Sequence, residues 1–358
     1  MSKSLAKKNY DIAVVGAGLT GSILAFQLKK AGKSVLLIDK PQLSSSSRIA
    51  AGVYNPIVFK RTTLAWKAKE TILSCIDFYN EVERETNAAF HVQTNLYRIF
   101  ASFEEQNEWI RKSVMPVYDI FINDNVHTTE LKHCSSPFGY AQIKNTGYIL
   151  TVEFIRAVRN FIGSENCMDE DFNHSTLQTG PVFSYGDCSF EKIAFCEGHL
   201  VSKNPWFNHI QLYPVKGEII EIENNSFEKG TLYSGGVYML AQNDGLLKIG
   251  GTYDWTNLDE VPTEAGKNEL LAKIHDFYLG EVTVKSHKAG IRPAVKDRRP
   301  VVGQHHEHKN MYVLNGMGTK GVSLGPWCAQ QLINLIEKAI EVEKEINVKR
   351  FIGKSEKE

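Results

Sequence analysis

The sequence predicts an α/β fold of two interlocked domains, one built on a parallel sheet and the other on a mixed, largely antiparallel one. Three observations carry this reading. A β-branched apolar run, Tyr10 to Val15, leads into Gly16-Ala17-Gly18-Leu19-Thr20-Gly21, a helical pattern through Lys30 and a second apolar run, Ser34 to Ile38. Together these make one βαβ unit. The runs Lys192 to Cys196 and Met311 to Leu314 have the continuous apolar character of strands covered on both faces. Between residues 212 and 256 the pattern changes to alternating, β-rich runs parted by Asn243-Asp244-Gly245, the chemistry of an antiparallel meander.

Gly32 stands where the first helix needs a C-cap, and the second run delivers Asp39 at its carboxyl end. The segment Ser44-Ser45-Ser46-Ser47-Arg48-Ile49-Ala50-Ala51-Gly52 is small, polar and Gly-terminated, a loop able to approach a ligand closely. Leu64, Ala68, Ile72, Cys75, Ile76 and Tyr79 recur at three or four residues and predict a helix from about Thr62 to Glu83. From Phe90 to about Tyr140, strand-like runs such as Leu96 to Phe100 mix with a helical stretch near Phe103 to Ser113, a first excursion into the second domain. A helix from Thr151 to about Phe161 and the strand ending at Glu197-Gly198 bring the chain back. The meander contains Gly217 to Ile222, Gly236 to Ala241 and Leu246 to Thr252. After Met311 to Leu314 come a Gly-rich loop, Asn315 to Gly321, and an amphipathic helix from Pro326 to about Lys344.

Composition narrows the function classes. The chain has 358 residues, and its 41 Lys plus Arg balance 41 Asp plus Glu, so no global field draws it to nucleic acid or to an anionic membrane. The cysteines at 75, 134, 167, 188, 196 and 328 form no CxxC pair, and no signal peptide is evident. Reduced thiols in a cytoplasmic protein are therefore expected. No run approaches the roughly 18 uninterrupted apolar residues of a spanning helix. The stripe Leu332, Ile333, Ile336 and Ile340 reads as core packing. His305-His306-Glu307-His308 lacks a zinc-ligand spacing and reads as a surface turn, so no metal is expected.

In the glycine loop, Gly16 permits the tight turn, Gly18 lets backbone approach a pyrophosphate, and Gly21 allows close helix packing. The pyrophosphate would face the unpartnered N–H groups at the helix start. Asp39 lies 18 positions after Gly21, close to the ~20 of a carboxylate that accepts from a ribose hydroxyl. A strand-to-helix turn without a ligand explains the bare motif but not the complete unit. NAD and FAD share this adenosine end, so the unit alone does not choose between them.

The chain resembles the D-amino-acid oxidase family of flavoproteins, which includes glycine oxidase and sarcosine oxidase. The likeness is carried in family order by the N-terminal unit, the serine-rich loop, Tyr213-Pro214-Val215-Lys216-Gly217-Glu218, Gly250-Gly251-Thr252, Gly290-Ile291-Arg292-Pro293 and Asn315 to Val322. Within the family it is similar to the oxidase half of the bifunctional enzyme that modifies carboxymethylaminomethyl uridine at the tRNA wobble position. That likeness rests on Ala51-Gly52-Val53-Tyr54-Asn55-Pro56, Gly251-Thr252-Tyr253-Asp254, Asp297-Arg298-Arg299-Pro300-Val301-Val302-Gly303 and Gly316-Met317-Gly318-Thr319-Lys320-Gly321. The methyltransferase half is not in this sequence.

The resemblance implies a GR2-type, Rossmann-like FAD-binding domain of residues 1–85, 141–210 and 285–358, with a substrate-binding domain of residues 86–140 and 211–284. The flavin would be non-covalent, since Met317 and Lys320 offer no thiol where some relatives attach it. It would be held by Gly16, Ala17, Gly18, Leu19, Thr20, Gly21, Asp39 and Lys40; by Ser47, Arg48, Ala51 and Gly52; by Glu197 and Gly198; and by the loop Gly316, Met317, Gly318, Thr319, Lys320, Gly321 and Val322. Lys320 would add charge near the flavin N1 and C2=O; the alternative is a solvated loop lysine.

Arg292 matches the family arginine that binds a substrate carboxylate through two parallel hydrogen bonds; a structural ion pair is its alternative. Tyr238 is a second candidate ligand, with strand packing as its alternative. The implied reaction oxidises the C–N bond of a small amine or amino acid, passing hydride to flavin N5, with hydrolysis of the imine and reoxidation by oxygen or another acceptor. A 2-hydroxy acid dehydrogenase, a tRNA-modification oxidase and an accessory flavoprotein are the other readings. The tRNA reading calls for a basic patch, which Arg48, Lys60, Arg61, Lys67 and Lys69 would have to form.

Overall fold

The computed structural model describes residues 8–40, 45–129, 131–224, 227–242 and 244–352. Ser44 and Asn243, named above in a loop and a turn, lie outside them. The first sheet has seven strands. Its order runs Cys167–Met168, Val35–Ile38, Lys8–Val15, Cys188–Phe195, Met311–Asn315, Val301–Gln304. The first five are parallel, Val301–Gln304 runs antiparallel, and Phe183–Tyr185 pairs with Cys188–Phe195. Ile12, Ala13, Val14 and Val15 are all buried, as strands covered on both faces require. Helices Leu19–Lys30, Ala68–Thr86, Thr151–Ile162 and Gly321–Lys338 pack on one face. The other is covered by an aromatic layer that includes Tyr185, Phe190, Phe195 and Phe207.

The carboxyl ends of the central strands are tied at one point. Gly16 N donates to Ile38 O at 2.8 Å, and Cys196 N donates to Val15 O at 2.7 Å. Open α/β sheets bind their ligands beyond such ends.

The second sheet has eight strands, in the order Val284–Arg292, Val215–Glu223, Leu246–Gly250, Tyr238–Ala241, Leu232–Ser234, Leu96–Ile99, Tyr140–Ile143, Ile122–His127. Every pairing is antiparallel except that of Leu232–Ser234 with Leu96–Ile99. The α/β class and the mixed, largely antiparallel second sheet are therefore as the sequence predicts. Sheet membership shifts two expected divisions of the chain. Tyr140–Ile143 and Val284–Arg292 pair within the second sheet, so the crossings out of it come after Ile143 and after Arg292.

Two helices start elsewhere than their periodicity suggests. The one expected from Thr62 begins at Ala68, because Thr63–Leu64 folds back on Ile57–Val58 and Lys67 adopts the left-handed conformation. The one expected from Pro326 begins at Gly321 and ends at Lys338, where Ala339 turns left-handed. A proline inside a helix leaves the carbonyl four residues earlier without its N–H donor. Here that carbonyl is Val322 O, and the buried Tyr79 hydroxyl donates to it at 2.8 Å. The hydroxyl thus restores a lost bond and fixes Ala68–Thr86 against Gly321–Lys338.

Gly21 is where helix and strand end meet most tightly: a Cβ there would lie 1.8 Å from Gly16 O. Gly21→Ala must therefore move backbone, and overpacking of this kind costs about 1–3 kcal/mol. Urea unfolding should show that loss.

Candidate functional site

One cleft opens beyond the strand ends, with a volume of about 220 Å³. It begins at Gly18, Leu19 and Thr20, passes Ser47, Ala51 and Gly52, and reaches Tyr238, Tyr253 and Arg292; Met317, Gly318, Thr319, Gly321 and Val322 form another wall. The Ser47 hydroxyl accepts from Leu19 N at 3.0 Å, so the serine-rich loop is pinned to the helix start. Neither Leu19–Lys30 nor Gly321–Lys338 has a side-chain cap. Apart from Leu19 N, which Ser47 engages, the N–H groups that open the two helices have no side-chain cap and meet one cleft, which suits a ligand carrying negative charge.

Asp39 is half-buried beyond the Val35–Ile38 strand. Burial pushes its carboxyl up from the ordinary value, opposed by a hydrogen bond from the Ala17 amide and by the Arg48 charge. A carboxylate in that position gains from further donors, such as ribose hydroxyls. Lys40 is exposed and paired with Asp171 at 3.0 Å. Glu197 departs from the expected lining role: its carboxylate is buried and accepts from Asn204 Nδ2 at 2.7 Å, with His174 Nε2 also at 2.7 Å. It braces the wall behind Gly198, which does line the cleft.

Arg292 ends the edge strand of the second sheet. Its Nη1 donates to Thr252 O at 2.9 Å, and the guanidinium lies 4.9 Å from the centre of the Tyr253 ring. Among the described residues no carboxylate forms an ion pair with it, so the structural ion-pair alternative is not realised. The room it occupies exists because the neighbouring strand presents glycine, and so does the residue just past the end of the next one. A Cβ on Gly217 would lie 1.9 Å from Nη2, and one on Gly251 2.8 Å from it. Burial lowers the guanidinium pKa, and an enclosed cation of this kind favours an anionic partner.

Tyr238 also faces the cleft. Its hydroxyl accepts from Asn55 Nδ2 at 3.0 Å, while the same amide nitrogen donates to Ile57 O at 2.8 Å and Asn55 Oδ1 accepts from Ile57 N at 2.9 Å. With Asn55 locked as the donor, the Tyr238 hydroxyl keeps its own proton for a group in the cleft. Burial pushes its pKa up to about 12, which keeps that proton on. Asn55, Gly217, Gly251 and Tyr253 were not singled out as site residues by sequence. All four stand in motifs shared with the flavoprotein family, but their roles depend on strand register.

Lys320 is not a solvated lysine. It keeps some exposure, yet its ammonium is enclosed and donates to Asn55 O at 3.3 Å, with no carboxylate paired to it among the described residues. Burial pushes its pKa down to about 8. Of the basic residues suggested as a patch, Lys67 is paired with Glu343 at 2.9 Å, while Lys60, Arg61 and Lys69 are exposed. His305 is buried rather than at the surface, with its Nδ1 accepting from the Glu307 and His308 amides. Among the described residues no group of three or more His, Cys, Asp or Glu is arranged to hold a metal ion, and no helix is long and apolar enough to cross a membrane.

The family model for FAD dependent oxidoreductases (DAO) matches residues 11–122 and 177–335. The chain belongs to the DAO family of FAD-dependent oxidoreductases. A glycine oxidase from Bacillus licheniformis is 21% identical, covering 92% of this chain and 94% of that protein. The tRNA 5-methylaminomethyl-2-thiouridine biosynthesis bifunctional protein MnmC of Marinobacter nauticus is also 21% identical, over 91% of this chain but 55% of its own length. In fold the chain is similar to the crystal structure of glycine oxidase from Geobacillus kaustophilus, with a TM-score of 0.75 at 19% identity, over 95% of this chain and 100% of that one. FAD is thus the cofactor, and the geometry above suits it: a glycine-lined cleft onto which two helices open.

The Lys320 environment gives a pH test. Its folded pKa of about 8 is below the ordinary 10.5, so the unfolded chain binds more protons across that window and stability rises with pH through it. In flavin-free protein at pH 7, Lys320→Met should melt a few degrees higher than the parent. Thermal melts near pH 10 should show the gap closing; a gap independent of pH would refute the assignment.

Proposed function

We propose that this protein oxidises the C–N bond of a small amine carrying a carboxylate, such as an amino acid or N-alkyl glycine. The observation that supports this most is the Arg292 guanidinium, enclosed in the cleft without a carboxylate of the protein's own. When bound, FAD supplies the two-electron acceptor. Arg292 binds the substrate carboxylate through the donors that Thr252 O leaves free, and Tyr238, oriented by Asn55, donates a second hydrogen bond to it. These two contacts hold the carbon bearing the amine at a fixed place in the cleft. The second sheet shields that place from water, with Ile219 and the Gly250-Gly251 backbone in the cleft wall. Lys320 would hold its ammonium beside the Gly316 to Val322 loop, where it could offset negative charge on the bound cofactor.

The adenosine end follows the same reasoning. Ala17, Gly18, Leu19 and Thr20 present backbone to the pyrophosphate, and Asp39 accepts from the ribose. Cofactor attachment is non-covalent: Cys196 is the thiol in the cleft wall, and burial raises its pKa, keeping it protonated and unreactive. Acid precipitation should leave the flavin in the supernatant.

An anaerobic screen of glycine, sarcosine, proline, D-amino acids and 2-hydroxy acids, read as bleaching of the flavin absorbance, tests the reading. An amine with a carboxylate should bleach it; bleaching by hydroxy acids alone, or by nothing, would overturn the proposal. Arg292→Met should raise the half-saturating concentration of the active amine by roughly 100-fold, and Tyr238→Phe by roughly tenfold.

A further inference from the structure

Residues 252–263 form a loop beside Arg292 that hangs from two residues of one strand, Val215–Glu223. Glu218 grips both ends. Its amide donates to Thr252 Oγ1 at 2.9 Å and its carbonyl accepts from Thr252 N at 3.2 Å, while its buried carboxylate accepts from Thr263 N at 2.9 Å and Thr263 Oγ1 at 2.8 Å. His287 Nε2, on the edge strand that ends at Arg292, lies 2.7 Å from the same carboxylate. Lys216 grips the middle. It exchanges backbone hydrogen bonds with Asp254 at 2.8 and 3.0 Å. Its ammonium is fully buried and donates to Asp259 Oδ1 at 2.7 Å and to Val261 O, with Glu218 Oε1 3.7 Å away.

Lysine is rarely buried in full, and an ammonium taken out of water is costly unless charge and hydrogen bonds replace the water. Asp259 and Val261, which take its hydrogen bonds, both stand on the loop. Every residue from 253 to 263 keeps some exposure, so the loop is held by polar bonds rather than by a packed apolar core of its own. Its first two residues are what fix the guanidinium: Thr252 O accepts from Arg292 Nη1, and the Tyr253 ring lies against the cation. Side chains alternate along a strand, so the Lys216 ammonium acts from the face opposite to the one on which Gly217 gives Arg292 its room.

We propose that Lys216 and Asp259 are positioning residues for substrate binding: their ion pair holds the loop down, and the loop keeps Thr252 O and the Tyr253 ring against Arg292. This rests on Arg292 binding the substrate carboxylate. A guanidinium covered on one side attracts a carboxylate with less screening by water, and its free donors are held at one angle. A loosened loop wets the cation and lets it turn.

The test titrates (methylthio)acetate, which has no amine to oxidise, into the holoenzyme and follows the flavin spectrum. Asp259→Ala and Lys216→Met should each weaken its binding by about tenfold. The shared direction is decisive, because the two substitutions change the charge oppositely: loss of a negative charge alone would tighten an anion, and loss of a positive one would loosen it. Asp259 is exposed, so its variant empties no buried space. In an Arg292→Met background, Asp259→Ala should have no further effect. Unchanged or tighter binding in Asp259→Ala, or the same loss with and without Arg292, would overturn the positioning role and leave Arg292 as the anchor. Unchanged binding in Arg292→Met would overturn the two together.

Discussion

The site depends on a guanidinium that is enclosed yet left without a carboxylate. A buried cation with no counter-ion is unfavourable, and folded proteins usually supply a partner. Here the fold offers Arg292 one backbone carbonyl, an aromatic face and a slot made by Gly217 on the adjacent strand and Gly251 just past the end of the next. The missing partner is then most simply a ligand. The architecture around it follows from that need: the edge strand must pair fully with Val215–Glu223 to bring Arg292 over Gly217, and Leu246–Gly250 must lie on the far side to bring up Gly251.

The first sheet meets this anchor with a second constraint. A dinucleotide with charge at its pyrophosphate and at its reducible ring needs donors for both. Two helices begin uncapped at the cleft, one after the glycine loop and one after the Met317 loop. The bond between Tyr79 and Val322 O holds the second helix where its proline would otherwise loosen it. Lys320 adds an enclosed charge at the same end and shares Asn55 with Tyr238. In the function proposed above, cofactor holding and substrate orientation are joined through a single asparagine.

Much of this was legible in sequence where the determinants are local. The glycine spacing, the apolar strands and Asp39 lie within forty residues and specify one another, so the βαβ unit formed as read. Arg292 was singled out from a short shared motif, but its glycine floor was not, because Gly217 and Gly251 become its neighbours only through strand register. Glu197 was misread for a related reason. An acid at a strand end resembles a ligand contact, and its real partners, His174 and Asn204, come from chain segments on either side. Pro326 resembled a helix start because proline favours that position. Nothing local showed that a tyrosine from another helix would satisfy the carbonyl it strands.

The most direct test of Arg292 as a carboxylate anchor compares (methylthio)acetate with its primary amide, a ligand of nearly the same shape and no charge. Both are titrated into the holoenzyme and followed through the flavin spectrum. The acid should bind at least roughly 100-fold more tightly than the amide, since a charge-assisted bidentate contact with an enclosed guanidinium distinguishes the two. Equal affinity would contradict the account.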